Sequence, residues 1–455
     1  MLYDFLTLER GTDRPLWEQL YDQLKDAIRA GRLSPDEKAA SIRQASAELS
    51  VSRTTVETAY ARLCMEGYLE AQPQSGFVVR AVLPHPVASS VPKALPPKFD
   101  FTTSAVDPKG TDLQNWRKLV RAALADGNMV SSYGDPQGEA FLRQELSAYA
   151  FRARGVVSEP ENIFIGAGVG PLLQILCPLL EDRPDVLMEC AGFFQAERIF
   201  ADYGFSVLSA KTEGEEELPL RFPEAESAVV TELPSLRPRI GPAVLSARRQ
   251  ELYLWAQGGD RRYVLEDDYN GELHYLTRPV PSFQGLSPTH TIYLGSFSKL
   301  LAPSVRIAYM VLPPQLAERA RERASALNQT AGKTEQFALA EYIRQGLLEK
   351  HLRRLRRLYA KKSRILAGAL DRVFGDSVSY TLRENSIFFL LAVKADCDAA
   401  ELVRLAEKAG IACRPSPEKI QKEPRVLLGF SGIPAEKIAA GISLLGQAWR
   451  EVMVK

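Results

Sequence analysis

Lys299 sits in residues 291–306, TIYLGSFSKLLAPSVR, where Gly295, Ser296 and Ser298 crowd small donors around it between two apolar runs. The first run, 291–294, reads as a short buried strand and the second, 305–312, as another. An ammonium is costly to bury. A lysine in such a place therefore either snorkels to water or is kept as a neutral, nucleophilic amine suited to Schiff-base chemistry. Residues 263–269, YVLEDDY, form a further apolar run that ends in acids, Asp267 and Asp268, with Tyr269 just beyond. Singly, SFSK could be a surface turn and EDDY an acidic loop. In order and both at strand ends, they point to one site.

The cofactor these residues suit is pyridoxal 5'-phosphate. It needs a lysine for its aldehyde, a carboxylate facing its pyridine nitrogen, a donor to its ring oxygen and a phosphate cradle. Lys299, Asp267 and Tyr269 are candidates for the first three, and Ser296, Ser298 and Arg306 for the phosphate. Residues 166–170, GAGVG, lie between a strand at 162–165 and a helix at 171–180. Backbone N–H groups there, those of Gly168 and Val169 among them, could hold a phosphate with the helix dipole, although glycines also serve plain turns. In AGFF, residues 191–194, Phe193 could lie flat on a cofactor ring or simply belong to the core.

The elements that must position these groups alternate. Strand-like runs at 162–165, 185–189, 206–208, 228–231, 263–266, 291–294 and 305–312 are separated by helical segments. That is the pattern of an α/β domain with a mostly parallel sheet, whose ligand lies beyond the strand C-termini. Residues from about 341 to 455 begin with an arginine-rich helix, HLRRLRRLYAKKSR from His351. Leu352, Leu355 and Leu358 recur there at helical spacing, so the charge is a solvated face. Strand candidates at 387–393 and 425–430 with flanking helices suit a smaller α+β domain closing over the site.

Residues 1–80 are organised differently. PLWEQLYDQLKDAIRA, from Pro15, puts Leu16, Leu20, Leu24, Ala27 and Ile28 on one helical face and stops at Gly31. A short helix at 41–49 and a tight connection at Ser50 and Val51 lead to a second helix capped by Ser52. There Val56, Ala59, Tyr60 and Leu63 face inward, and Arg53, Thr54, Thr58 and Arg62 face solvent. Residues 68–79 read as two strands joined around Gln74, Ser75 and Gly76. This is the plan of a winged helix-turn-helix. Its 10 Lys/Arg against 12 Asp/Glu through Arg80 give no basic footprint, so binding would rest on a few residues, doubled by a dimer. Residues 81–98, AVLPHPVASSVPKALPPK, read as a Pro-rich linker.

Composition sets the outer bounds. A chain of 455 residues, 45% hydrophobic and 25% charged, is long enough for at least two packed domains. No apolar run approaches a membrane span, and MLYDFLTLER has acids where a signal peptide is basic. Five scattered cysteines suit neither a disulfide framework nor a zinc site, which points to reduced thiols and a cytoplasmic location. The net charge of +1 excludes little.

Residues 40–79, ASIRQASAELSVSRTTVETAYARLCMEGYLEAQPQSGFVV, resemble the winged helix-turn-helix of the GntR superfamily, with Ala39 and Ala40 where the family has Leu-Pro. The resemblance implies DNA contacts from Arg43, Ser52, Arg53, Thr54 and Thr55, with Gly76 in the wing. SSYGDPQGEAFLRQELSAYAFRARGV, VLEDDYNGELHY and YLGSFSKLLAPSVRIAYMVLP resemble a fold-type I aminotransferase, over nearly all of residues 99–455. The two together look like the MocR subfamily of regulators, which includes gamma-aminobutyrate-responsive and pyridoxine-synthesis regulators. What this implies is a head-to-tail homodimer that binds operator DNA and senses an amine, an amino acid or the cofactor itself.

The chain departs from that family at several places. Gly166, Ala167 and Gly168 replace a Thr-Ser-Gly, Phe193 replaces a stacking Tyr, and Gln195 stands at an effector-binding position that is basic in the gamma-aminobutyrate regulator. TELPSLRPRIG runs two residues longer than the family's matching segment. In PRVLLGFS, Leu427 occupies the place of the arginine that binds the substrate carboxylate; Arg425, two residues earlier and on the same face of a strand, is the candidate substitute. The alternative function is a transaminase acting on an amino acid, with Lys299 as the proton-transfer base. The amino-terminal module and Leu427 favour the regulator.

Overall fold

Three helices and a hairpin open the chain. α1 (Leu16–Arg29), α2 (Ile42–Glu48) and α3 (Arg53–Met65) are followed by β1 (Leu69–Gln72) and β2 (Gly76–Val79), which pair antiparallel from Leu69↔Val79 to Gln72↔Gly76. Serines set the helix starts. The Ser41 Oγ accepts from the Gln44 N–H at 3.3 Å while the Gln44 side chain accepts from the Ser41 N–H, a capping box. The Ser52 Oγ accepts from the Thr55 N–H at 3.1 Å, and Ser50 turns the chain between the helices at φ +53°. Leu20, Leu24, Ala27, Ala45, Val56, Ala59, Tyr60 and Leu63 close one core beneath them.

The structure, a computed structural model, describes the chain apart from residues 1, 2, 4, 5, 13, 73–75, 81–95, 103–104, 189–192, 210–221, 235–241, 276–279, 383–385, 417–422 and 455. Gln74 and Ser75 of the wing, most of the expected linker and most of TELPSLRPRIG lie outside the described residues. Two units emerge, Met1–Leu95 and Pro96–Lys455.

The second unit contains β3 (Phe99–Asp100), β4 (Ile163–Gly166), β5 (Asp185–Met188), β6 (Val207–Ser209), β7 (Ser227–Glu232), β8 (Arg261–Asp267), β9 (Thr291–Ser296) and β10 (Ala308–Val311). β4 to β10 form a seven-stranded sheet in the order β4-β10-β9-β8-β7-β5-β6, parallel except for β10, which runs antiparallel to both neighbours. The middles of its strands are apolar because both faces are covered. Ile163 and Ile165 enter one hydrophobic cluster and Phe164 another. The expected strand at 305–312 starts only at Ala308, since Val305 closes a 3-10 turn and Arg306 is left-handed at φ +50°. The helix expected at 171–180 runs from Val169 to Leu176, ending where Pro178 supplies no N–H.

The rest of the chain adds β11 (Val378–Leu382), β12 (Phe388–Val393), β13 (Ile411–Ala412), β14 (Arg414–Pro415) and β15 (Arg425–Gly429). A second sheet has the order β11-β12-β15-β14, so the two strands expected here are joined by two more. β13 pairs in parallel with β3, drawing the start of the unit into the same core as helices Leu347–Phe374 and Ala435–Trp449. Among the described residues no helix is long and apolar enough to cross a membrane.

Gly295 of β9 lies opposite Tyr309 of β10, whose ring fills the space a Cβ would need. Gly295→Ala is expected to destabilise the chain by about 1–3 kcal/mol through overpacking, measured by denaturant unfolding. An unchanged midpoint would contradict that packing.

Candidate cofactor site and DNA-binding surface

Strand order brings the candidate residues to one edge of the large sheet. β8 ends at Asp267 and its parallel neighbour β9 ends at Ser296, and the chain then loops through Lys299 before returning as β10. Ala308 of β10 pairs with Ser296 on one side and Gly166 on the other. Arg306, just before β10, is thereby delivered to the glycine turn, where its Nη2 donates to the Ala167 carbonyl at 2.9 Å. Gly168 (φ +104°) lies under that guanidinium, and a Cβ there would strike it. The Ser298 N–H donates to the Ser296 Oγ at 3.3 Å, and Lys299 and Tyr269 are half-buried.

Two backbone donors of the expected cradle point elsewhere. The Gly168 N–H turns back to the Gly166 carbonyl at 2.8 Å, and the Ala167 N–H donates to the Thr330 Oγ1 at 2.9 Å. The donors left at the turn are those of the first turn of helix Val169–Leu176, beginning with Val169. Thr330, 163 residues from Ala167, left no mark in the local sequence. Phe193 is half-buried against the second hydrophobic cluster, at the start of helix Phe194–Asp202. Gln195 lies over Gly170, at the same helix start. Arg425 is on β15, half-buried, paired across to Ala392.

The two adjacent aspartates have separate surroundings. Asp268 accepts from the Arg154 Nε at 2.6 Å and from the Tyr293 hydroxyl at 3.0 Å. Asp267 is buried too; its Oδ1, like the Oδ1 of Asp268, has no hydrogen-bond partner, and among the described residues it lacks an arginine and a hydroxyl such as Asp268 has. Burial, and then the charge of Asp268, push its carboxyl up to about 7. Burial pushes Glu266 up as well, with Glu232 and Asp268 adding to it. Lys299 moves the opposite way: burial lowers its amine, and the positive charge of Arg414 lowers it further. Acid and amine are both drawn toward neutrality, which favours proton exchange and nucleophilic attack.

These features fit pyridoxal 5'-phosphate. The unpartnered Oδ1 of Asp267 can accept from an N–H donor such as a pyridinium, and the glycine turn with Arg306 offers an anion its place.

On the first unit, Arg43, Arg53 and Thr54 are exposed on α2 and α3. The Ser52 and Thr55 hydroxyls bond each other at 2.8 Å, so part of their capacity is spent on the cap. Arg62 is held at the far end of α3 beside Glu66 and the Tyr21 ring. Gly76 opens β2 at φ +96°.

A winged helix followed by an aminotransferase fold is therefore the class of this chain. The family of bacterial regulatory proteins, gntR, matches residues 16–79, and aminotransferase class I and II matches residues 97–234. An uncharacterized HTH-type transcriptional regulator of Bacillus subtilis, YhdI, is 35% identical over 97% of this chain and 97% of its own length. The probable rhizopine catabolism regulatory protein MocR of Rhizobium meliloti is 29% identical over 98% and 96%. Among solved structures, the alpha-aminoadipate aminotransferase LysN of Thermus thermophilus, complexed with N-(5'-phosphopyridoxyl)-L-leucine, superposes with a TM-score of 0.65 and 26% identity, covering 78% of this chain and 92% of that one. The chain belongs to the MocR-type subfamily of GntR regulators.

The raised Asp267 carboxyl carries a pH signature. Its folded form holds a proton that the unfolded chain releases near pH 4, so this stability is complete below that point and is lost as pH rises to about 7. Thermal midpoints of the cofactor-free protein are expected to fall over that range more steeply than those of Asp267→Asn. Equal slopes would refute the assignment.

Proposed function

We propose that this chain is a transcriptional regulator that binds operator DNA as a homodimer, head to tail, and reads an amine or amino-acid effector through a pyridoxal 5'-phosphate site at Lys299. The observation that carries the reading is the buried, unpartnered Oδ1 of Asp267 at the strand edge that also presents a lysine of lowered basicity. When bound, the cofactor supplies an aldehyde that captures amines and a ring that withdraws electrons.

The chain's own groups do the rest. Asp267 would accept a hydrogen bond from the cofactor's ring nitrogen in its charged form. Tyr269 would donate to the ring oxygen, and Phe193 would lie against the ring. Arg306, Ser296, Ser298 and the first-turn N–H groups from Val169 hold the phosphate, while Thr330 and the Gly166 carbonyl keep the glycine turn in shape. Lys299, half-buried and of lowered basicity, offers a neutral amine beyond the end of β9. Effector occupancy beside it shifts the dimer between DNA-binding states by differential affinity for the two. Arg43, Arg53 and Thr54 read the DNA from exposed positions, with the Ser52 to Thr55 cap fixing the start of the recognition helix and Gly76 shaping the wing.

Leu427 bears on turnover. A transaminase must hold the substrate carboxylate through each half-reaction, and β15 offers a leucine where the family's arginine stands. Detection of an effector needs only an equilibrium.

Purified protein is expected to show a visible absorbance band that Lys299→Ala abolishes; an unchanged spectrum in the variant would sink the cofactor assignment. DNA from upstream of the protein's own gene should bind the intact chain. Arg53→Ala should weaken that binding by about tenfold or more. Multiple-turnover amino transfer with no operator binding would reverse the ranking of regulator over enzyme.

A further inference from the structure

The arginine-rich run that opens at His351 begins with a side chain turned away from solvent. His351 lies in the second turn of helix Leu347–Phe374 and is buried, 2% exposed. Its Nε2 meets the Leu300 carbonyl at 2.7 Å, and its Nδ1 meets the Arg354 Nη2 at 3.2 Å. These two contacts fix one state of the ring. A carbonyl oxygen only accepts and a guanidinium N–H only donates, so Nε2 must carry the proton and Nδ1 must be bare. Histidine and arginine three residues apart share a helix face, and Arg354 holds the ring while also reaching the Thr111 carbonyl at 3.3 Å. Tyr342, which donates to Asp112 at 2.8 Å, stands edge-on to the imidazole with ring centroids 6.4 Å apart. Burial holds the imidazole below its usual range, and the charge of Arg354 adds to that, so the ring stays neutral.

Leu300 is the residue after Lys299. The turn that carries the lysine is closed by its own backbone, with the Phe297 N–H donating to the Ile307 carbonyl at 3.0 Å and the Leu301 N–H to the Phe297 carbonyl at 2.9 Å. Both bonds stay within the loop between β9 and β10. The Leu300 carbonyl instead joins the turn to a separate element, through a residue 51 positions later. Phe297, Leu300 and Leu301 are buried in the same hydrophobic cluster as Leu348, Leu352 and Leu355 of the long helix, and a carbonyl in such surroundings needs a donor. Movement of this turn would swing the Lys299 stem. A reacting amine has to arrive within about 0.5 Å of its productive position, so the anchor of its backbone bears on its chemistry.

We propose that His351 is a positioning residue for Lys299: its neutral, Nε2-protonated ring clamps the Leu300 carbonyl and thereby sets the direction from which the lysine amine meets the aldehyde of the cofactor. The inference rests on the cofactor reading above, and its test separates the two. In that reading Arg306, Ser296 and Ser298 hold the phosphate and Asp267 the ring nitrogen, so replacement of His351 leaves those groups in place. A ligand that uses them without the lysine should be indifferent to His351. Pyridoxamine 5'-phosphate is such a ligand, since it carries an amine where the aldehyde would be.

Full-length protein freed of cofactor is titrated with pyridoxal 5'-phosphate, read by the visible band that Lys299→Ala abolishes, and with pyridoxamine 5'-phosphate, read by calorimetry. His351→Phe fills the space but cannot donate. It is expected to raise the pyridoxal 5'-phosphate midpoint by about tenfold or more, the worth of a buried acceptor left unsatisfied. The pyridoxamine 5'-phosphate midpoint should stay within about twofold. His351→Gln, whose amide can donate to the same carbonyl, should recover most of the loss. An unchanged pyridoxal 5'-phosphate midpoint in His351→Phe, or a His351→Gln no better than His351→Phe, overturns the clamp while leaving the cofactor site intact. Equal weakening of both ligands overturns it too, because His351 would then serve the fold alone. Should His351→Phe fail to fold, Arg354→Leu decides. Arg354 is exposed, and its loss frees the ring to take either tautomer, so the pyridoxal 5'-phosphate midpoint alone should rise by about threefold. No rise there overturns the proposal. Absence of any lysine-dependent band in the unaltered chain overturns the cofactor reading and this inference with it.

Discussion

Arg154 and Asp268 meet at 2.6 Å with both side chains buried, and that contact decides what its neighbour can do. Two carboxylates in succession at the end of a buried strand cannot both stay charged without partners. Arg154, at the end of helix Ala140–Arg154, neutralises one, and Tyr293 donates to the same oxygen, Oδ2. Gly271 makes room, since a Cβ there would run into both partners of the pair. Removing one partner would strand a buried charge at a cost of about 3–5 kcal/mol. With Asp268 committed, Asp267 is the acid left without a partner at the mouth of the sheet. Its raised proton affinity is a debt that an N–H donor from outside can cancel, which is how a scaffold can favour one protonated ring over water.

The antiparallel strand β10 has a similar organising role. Were the sheet parallel throughout, the residue before β10 would lie at the opposite edge from Gly166. Because β10 reverses between β9 and β4, its start adjoins the ends of both, and Arg306 arrives where the anion belongs. Its left-handed backbone is unfavourable for a branched-chain-sized residue and persists because the neighbouring turn is held on both sides. The strain sits at the point where guanidinium, glycine turn and helix start converge.

Much of this was legible in the amino-acid string because the decisive residues stand at strand ends. Lys299 and Asp267 follow apolar runs whose length and composition mark them as buried strands, and Arg306 stands at the start of another, so their convergence needed only the α/β rule. The winged helix was legible for a local reason: Ser41 with Gln44 and Ser52 with Thr55 announce helix starts within four residues. What stayed hidden depends on distance. Nothing near Asp267 tells it apart from Asp268, since the difference lies in an arginine 114 residues upstream. Thr330 reaches the glycine turn only after the sheet has formed.

The first unit explains why a modest signal at Lys299 can matter to DNA binding. With more acids than bases through Arg80, it gains little from counterion release, the attraction that holds most regulators loosely to any duplex. Its hold on DNA must come from short-range contacts at the start of α3, which depend steeply on position. Two such modules engage together only when their spacing matches the half-sites, and the loss of one partner's contacts removes most of the affinity. On the function proposed here, an effector that alters the geometry of a dimer needs a coupling of only about 1–3 kcal/mol to switch occupancy. Strong general attraction to DNA would mask such a signal, and a module with 10 Lys/Arg against 12 Asp/Glu lacks it.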